Sequence, residues 1–228
     1  MKVFKSRRPL KRDYAVLIVK PHNIEGRTLE ETNVFIMQAF QRGIAEYHHV
    51  PSKVAELGRN FGIHDFLARH PKKTHIYFQD DDSPPLEPFA IEQLMRMNKP
   101  VACGITPIVR VEKEKISCMW SAVVENDGKK ENIGIDELPK KPFRVYRTGG
   151  NCLLIRRDVL MKLKPPFQIT TYNKLWIGVE LSEDYYFSDK IREAGYEIWC
   201  DPAVVSHHYH YFDLLNIFAI YKQCLTKR

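Results

Sequence analysis

No apolar run in the sequence approaches the length of a membrane span, and the opening stretch MKVFKSRRPLKRD has no apolar block of the kind a secretory leader carries. The expected location is therefore the cytoplasm. Cysteine is scarce as well: Cys103, Cys118, Cys152, Cys200 and Cys224 are widely spaced, form no C-x-x-C pair, and leave one over in any full pairing. This argues against a disulfide framework, and a structural zinc site is not expected. Several of the five sit in apolar runs, where cysteine acts as a small core residue. Repeats and low-complexity segments are missing. So is a glycine-rich loop after the first apolar strand, which argues against a phosphate-loop enzyme.

The 228 residues, 44% of them hydrophobic, can fill one sizeable core. The expected organisation is a single domain over 14–210, preceded by a basic arm, 1–13, and followed by an apolar segment with a basic end, 211–228. Part of the net charge of +7 lies in that arm, at Lys2, Lys5, Arg7, Arg8, Lys11 and Arg12. The arm is either a solvated tail or a contact for an anionic partner such as nucleic acid or phospholipid. Tyr14 to Val19 reads as a strand buried on both faces. Ile36, Phe40, Ile44 and Tyr47 recur at helical spacing behind Glu30 and Glu31, acids that suit a helix N-terminus. A second helix is expected from Ser52 as N-cap, with Val54, Leu57 and Phe61 as its apolar stripe. Pro85 to Met97 reads as a helix with Phe89, Ile91, Leu94 and Met95 inward, Pro100 to Thr106 as a buried strand, and Ile116 to Val124 as another strand. Glu125 to Lys141 reads as a mobile polar loop and Phe167 to Trp176 as an irregular aromatic stretch. Alternating strands and helices, with more β character in the second half, argue for a mixed sheet covered by helices.

The chemistry concentrates in HIYFQDDDSPP. His75 to Phe78 reads as a buried strand, and Asp80, Asp81 and Asp82 follow at its C-terminal end, where open α/β sheets place their ligands. Three adjacent carboxylates repel one another unless a cation joins them; otherwise the stretch is a solvated acidic turn closed by Pro84 and Pro85. Arg59, on the helix leading into this strand, can hold phosphate or orient a carboxylate. Gly149 and Gly150, before the apolar run Cys152 to Ile155, allow either a close backbone approach to a ligand or a plain bulge. Leu181-Ser182-Glu183-Asp184 opens a helix with Phe187, Ile191 and Ala194 inward and Gly195 as its stop. Glu183 and Asp184 suit the helix dipole whatever else they do. Tyr196 to Cys200 and Ala203 to His208 read as strands separated by an Asp201-Pro202 turn. They lead to His207, His208 and His210, so that one strand face offers an imidazole.

In this order the features resemble the GT-A fold glycosyltransferases, in particular small inverting enzymes of family 2. The shared pieces are the first strand and helix, Arg59-Asn60 before the acidic strand, Asp-x-Asp at Asp80 and Asp82, Gly149-Gly150, the Glu183-Asp184 pair and a late histidine, spanning about 14–210. The resemblance implies a mixed, mainly parallel sheet flanked by helices, with a Rossmann-like nucleotide-binding half and an acceptor half. It implies transfer of a hexosyl or pentosyl group from a nucleotide-diphosphate donor, most commonly a UDP-sugar, to an acceptor hydroxyl, with Mn²⁺ or Mg²⁺. Asp82 would bind the cation directly, and Asp80 would reach the ribose or bind the cation through water. Asp81 can replace either, since three acids in a row leave the register open by one. His208, or His207, would be a further ligand. Arg59, Gly149 and Gly150 would border the donor. Asp184 would take the acceptor proton, with Glu183 orienting the acceptor or the base.

Physical chemistry agrees: carboxylate oxygens suit these cations, and a cation across a diphosphate neutralises the charge of the leaving group. A second carboxylate across the sugar activates the hydroxyl for a single displacement with inversion. Two other classes stay open on the residues alone. One is a metal-dependent phosphoesterase or nucleotidyltransferase, because clustered Asp with His also suits two-metal chemistry; the other is a non-catalytic binding module in which the acids hold a structural ion. The acceptor is not readable: a glycan, a lipid-linked sugar and modified DNA all fit. Tyr211 to Ile220 either packs on the core or touches a membrane surface, as a peripheral contact without a transmembrane segment.

Overall fold

The computed structural model describes residues 16–21, 29–50, 55–112, 115–163, 170–172 and 179–209. The basic arm, Ser52, His210, most of 167–176 and the segment 211–228 lie outside the described residues. In chain order the elements are β1 (Val16–Pro21), α1 (Glu30–Gln41), β2 (Ala45–Val50), α2 (Ala55–Arg69), β3 (His75–Phe78), α3 (Ala90–Arg96), β4 (Val101–Ile105), β5 (Pro107–Glu112) and β6 (Lys115–Asn126). They continue with β7 (Lys129–Gly134), β8 (Phe143–Val145), β9 (Leu153–Arg156), α4 (Arg157–Leu160), β10 (Thr170–Tyr172), β11 (Val179–Leu181), α5 (Glu183–Glu193) and β12 (Ile198–Val205). Among the described residues no helix is long and apolar enough to cross a membrane, and Cys103, Cys118, Cys152 and Cys200 are free thiols.

The main sheet has the order β2-β1-β3-β9-β4-β12-β8. β1–β2, β1–β3 and β4–β12 pair parallel, whereas β3–β9, β4–β9 and β8–β12 pair antiparallel. The sheet is therefore mixed, without the parallel majority of pairings expected from the sequence. The reason is the insertion of β9, antiparallel, between β3 and β4. β1, β2, β3, β4 and β12 nevertheless all point one way, so their C-terminal ends share one edge. Helices cover both faces. Ile63 and Phe66 of α2 and Phe187 and Ile191 of α5 pack with Leu17, Val19, Ile76 and Phe78 on one side. Phe35, Ile36 and Ala39 of α1 and Ile91 and Leu94 of α3 pack with Ile18, Tyr77 and Leu154 on the other. This two-sided burial is why the strand sequences VLIV and HIYF are apolar without alternation.

Several local expectations are corrected. The helical spacing Ile36, Phe40, Ile44, Tyr47 outruns α1, which closes at Gly43 (φ 69°) with Ile44 N–H donating to Ala39 O at 3.2 Å. That six-to-one closure in a left-handed glycine ends the helix, and Tyr47 lies in β2, a strand the spacing had hidden. Leu57 and Phe61 of α2 are 58% and 64% exposed; the buried side is Gly58, Arg59, Gly62, Ile63, Asp65 and Phe66. Phe89 precedes α3 and is about half exposed. The stretch 125–141 is not a plain loop: β6 runs on to Asn126, turns at Asp127-Gly128 and returns as β7. Asp201-Pro202 is not a turn between two strands but part of β12, whose register against β4 shifts between Cys200 and Val205.

Glycine in the middle of α2 brings that helix onto β1. A Cβ at Gly62 would lie 2.4 Å from Val19 Cγ1 and 3.2 Å from its Cβ. Alanine ordinarily gains about 1 kcal/mol over glycine in a helix, but overpacking here costs about 1–3 kcal/mol. Gly62→Ala is therefore expected to lower the urea midpoint without changing the denaturant slope. A midpoint at or above that of the parent would mean that α2 does not press on β1 this closely.

Candidate active site

Phe78 ends β3 at the shared strand edge, and the chain then turns through Gln79 and the three acids. Two amide side chains hold that turn. Asn151 Oδ1 accepts from Asp80 N–H (2.9 Å) and from Gln79 Nε2 (3.1 Å), while Asn151 Nδ2 donates to Ser83 O (3.1 Å). Gln79 Nε2 also donates to Ser83 O at 2.8 Å and to Asp80 O at 3.0 Å. Asn151 is carried there by the antiparallel strand β9, and its neighbour Cys152 holds φ 51° to make the approach. The turn is thus tied to the strand beside it through its backbone, and its carboxylates are spent elsewhere.

The acids diverge. Asp81 is buried against Lys20 at the end of β1 (Nζ to Oδ1, 2.7 Å), and its carbonyl accepts from Thr32 Oγ1 at 2.8 Å. Asp80 accepts from Arg59 Nη2 at 2.9 and 3.2 Å. Asp82 is half-buried and accepts from Ser83 Oγ at 2.8 Å, and its carbonyl accepts from Tyr209 N–H at 3.0 Å. That last bond continues a ladder in which Leu86 N–H donates to Val205 O and His207 N–H to Pro84 O. The ladder brings the histidine segment alongside the acidic turn. His207 is exposed, with its ring 5.4 Å from that of Tyr209. His208 Nδ1 lies 2.9 Å from Pro107 O; a carbonyl can only accept, so Nδ1 is the donor.

Arg59 is the junction. It is buried on α2 and reaches Asp80 on one side and Glu183 Oε1 on the other (Nη1, 2.5 Å). Burial alone would lower its pKa, but Asp80, Glu183 and Asp184 together raise it. Gly150 makes the room: a Cβ there would lie 2.4 Å from Arg59 Cζ. Gly149 sits next to Asp184, whose Oδ2 would be 3.8 Å from a Cβ at that position. Ser182 occupies the N-cap position of α5, but its hydroxyl donates to the Asp184 carboxylate, which also accepts from Tyr185 N–H at 2.8 Å. Burial pushes the Asp184 pKa up, opposed by Ser182 and Arg59 and reinforced by Glu183. Burial likewise raises Asp80, with Arg59 pulling it back and Asp82 and Glu183 adding to the rise.

The structure therefore brings Arg59, Asp80, Gly149, Gly150, Glu183 and Asp184 together and sets Asp82 beside the His208 segment. Sequence reasoning missed Lys20, Gln79 and Asn151, although Asn151 directly follows the glycine pair. It also missed His48, Asp65 and His70, whose ligand atoms all lie within 4.8 Å of one another. Among the described residues that is the one group of three so gathered; Asp80, Asp82 and His208 are not.

No family model matches the sequence, and no curated protein does. Similarity appears among solved structures. A197 from STIV is 15% identical over 87% of this chain and 86% of that one, with a TM-score of 0.54. GalNAc-T7, in a crystal structure with UDP, GalNAc and Mn²⁺, is 10% identical over 88% of this chain, with a TM-score of 0.50. The match covers 44% of the GalNAc-T7 chain, so this chain spans less than half of it. At these identities the likeness is one of fold.

Removing the guanidinium leaves Asp80 and Glu183 without their shared cation. Arg59→Met is expected to cost about 3–5 kcal/mol at pH 7.5. Arg59 pulls the Asp80 pKa down against burial and the neighbouring acids, so without it that pKa rises further and the variant's native state takes up a proton before the unfolded chain does as pH falls toward the ordinary value of 3.8. The variant therefore recovers part of its loss between neutral and mildly acidic pH. Urea titrations of both proteins at pH 7.5 and 5 read this directly; an equal deficit at both pH values would remove charge repulsion as its cause.

Proposed function

We propose that the chain is a metal-dependent glycosyltransferase that moves a sugar from a nucleoside-diphosphate donor of the UDP type to an acceptor hydroxyl, with inversion. The observation that carries this reading is the Arg59 junction. One buried guanidinium locks the acidic turn after β3 to the first turn of α5, so that an acidic cation-binding end and a separate carboxylate, Asp184, are held at one strand edge. The likeness in fold to GalNAc-T7 with UDP and Mn²⁺ supports it.

Asp82 and His208 are the residues that would hold Mn²⁺ or Mg²⁺, with His207 as the alternative imidazole. Two protein ligands are a fitting number for a cation that fills its remaining positions with phosphate oxygens and water. When bound, the cation supplies neutralisation of the diphosphate leaving group. Asp80, oriented by Arg59, faces the donor. Asp81 keeps the turn in place through Lys20, and Gly149 and Gly150 keep the floor of the site low. Asp184 acts as general base. Its raised pKa makes it a stronger base than a solvated aspartate, and Ser182 and Tyr185 N–H fix the carboxylate plane while Oδ2 lies toward Gly149. Glu183, bound to Arg59, positions that base.

Calorimetry with UDP and a panel of UDP-sugars, with and without Mn²⁺, tests the reading. Metal-dependent binding is expected for the wild type and Asp184→Asn and is expected to vanish in Asp82→Asn, while Asp184→Asn loses about 10²–10⁴-fold in turnover. Absence of nucleotide binding under every metal condition would overturn it. The pH profile gives a further expectation. Activity rises as Asp184 deprotonates, and Ser182→Ala, by removing a bond that lowers the Asp184 pKa, shifts that acid limb to higher pH. A shift to lower pH, or none, would reassign the base.

A further inference from the structure

We propose that His48, Asp65 and His70 form a second cation site, suited to Zn²⁺, that fastens the edge strand β2 to the C-terminal half of α2. The sheet register pairs Leu17 with Glu46 and Val19 with His48, and Leu17 and Val19 belong to the core on the α2 side. Glu46 and His48 therefore stand on the face that α2 covers. Asp65 comes from within α2 and His70 from the residue just beyond its end.

Two imidazole nitrogens converge on one carboxylate oxygen: His48 Nδ1 lies 3.1 Å and His70 Nε2 3.3 Å from Asp65 Oδ2. A tetrahedral zinc with bonds of about 2.0–2.1 Å has ligand atoms about 3.3 Å apart. The imidazole–carboxylate spacings already match that edge, and all three ligand atoms lie within 4.8 Å of one another. Two imidazoles and a carboxylate suit Zn²⁺ rather than Mg²⁺ or Mn²⁺, so this site and the one at Asp82 differ in the ion they select. The scattered cysteines gave no reason to expect zinc; here the ligands are histidine and aspartate.

The surroundings support a ligand role. Glu46 Oε2 is 3.5 Å from His70 Nδ1, and Glu46 is itself held by Lys73 Nζ at 2.6 Å. A carboxylate behind a metal-binding imidazole takes its N–H and turns the lone pair of the other nitrogen to the ion, here Nε2. Arg69 Nε approaches the other Asp65 oxygen, Oδ1, at 3.2 Å, and with 78% of its side chain exposed it can yield at little cost. The Asp65 side chain is 4% exposed, but those of His48 and His70 are 28% and 23% exposed, so an ion can enter and water can complete the fourth position. Six residues, or about 9 Å of helix, separate Asp65 from Arg59. The ion would steady the helix that presents the Arg59 junction without belonging to the donor pocket.

The test uses the full chain, stripped with EDTA and titrated with Zn²⁺ in a calorimeter, with melting temperature as a second readout. One equivalent is expected to bind and raise the melting temperature in both the wild type and the Asp82→Asn/His208→Ala double variant. His48→Ala and His70→Ala, at partly exposed positions, are expected to fold with a somewhat lower metal-free melting temperature, because the buried Asp65 loses a partner, and to lose both the binding and the zinc-induced rise. Glu46→Gln is expected to bind about 10–100-fold more weakly. Zinc affinity unchanged in His48→Ala and His70→Ala, or no zinc binding by the wild type, would overturn the site and leave an ion-pair network alone. Neither result depends on whether the chain binds a nucleotide sugar.

Discussion

A buried guanidinium with a carboxylate on either side is the constraint on which the strand edge depends. Arg59 is almost wholly buried, and a charge in that position is tolerable only while Asp80 and Glu183 stay within hydrogen-bond reach. The demand runs both ways, since the two acids have been drawn into partly dry surroundings by the same cation. Three segments are thereby forced to agree: α2, the turn after β3 and the first turn of α5. Gly150 lets the guanidinium come close against the backbone, and Gly62 lets α2 sit low enough on β1 to deliver it. Glycine here serves close approach.

The run of three aspartates looks from the sequence like one anionic patch, and its solution in space is separation. Asp81 goes down to Lys20, Asp80 sideways to Arg59, and Asp82 stays half in water beside Ser83. Divergence lowers the mutual repulsion that a shared direction would impose, and it needs a turn whose backbone is stiff. Gln79 and Asn151 supply that stiffness with hydrogen bonds from their side-chain amides to peptide groups, which carry no charge of their own and so leave the electrostatics to the acids and their partners.

Long apolar runs were legible because burial on both faces leaves little choice of residue: YAVLIV, HIYF and PVACGIT all contain strands of the central sheet. The opening of α5 at Glu183 and its stop at Gly195 were legible for a different, local reason: acids suit a helix N-terminus, and a left-handed glycine suits its end. Leu57 and Phe61 misled because the true inner face of α2 is made of two glycines, an arginine and an aspartate beside Ile63 and Phe66, a pattern that no hydrophobic period reports. The antiparallel course of β9 was hidden too, since the direction of a four-residue strand is set by its neighbours. At the site, the residue types were visible but their partners were not. Lys20 reads as a strand end and Asn151 as a turn residue, and only the register of β1, β3 and β9 puts both against the same turn. His48, Asp65 and His70 come from a strand and a helix end and share no spacing a motif could describe.

The two carboxylates that satisfy Arg59 lie 21 and 124 residues further along the chain. At a ribosomal rate of roughly 5–20 residues per second, the second one is made roughly 6–25 s after the arginine. Throughout that interval α2 and β3 can be assembled, but the cation between them is answered on one side only, and β12 has not yet been made to flank β4. An N-terminal fragment ending before α5 would therefore leave one side of the guanidinium without its hydrogen-bond partner. The strand edge at the Arg59 junction is thus among the last parts of the molecule to gain its full set of hydrogen bonds.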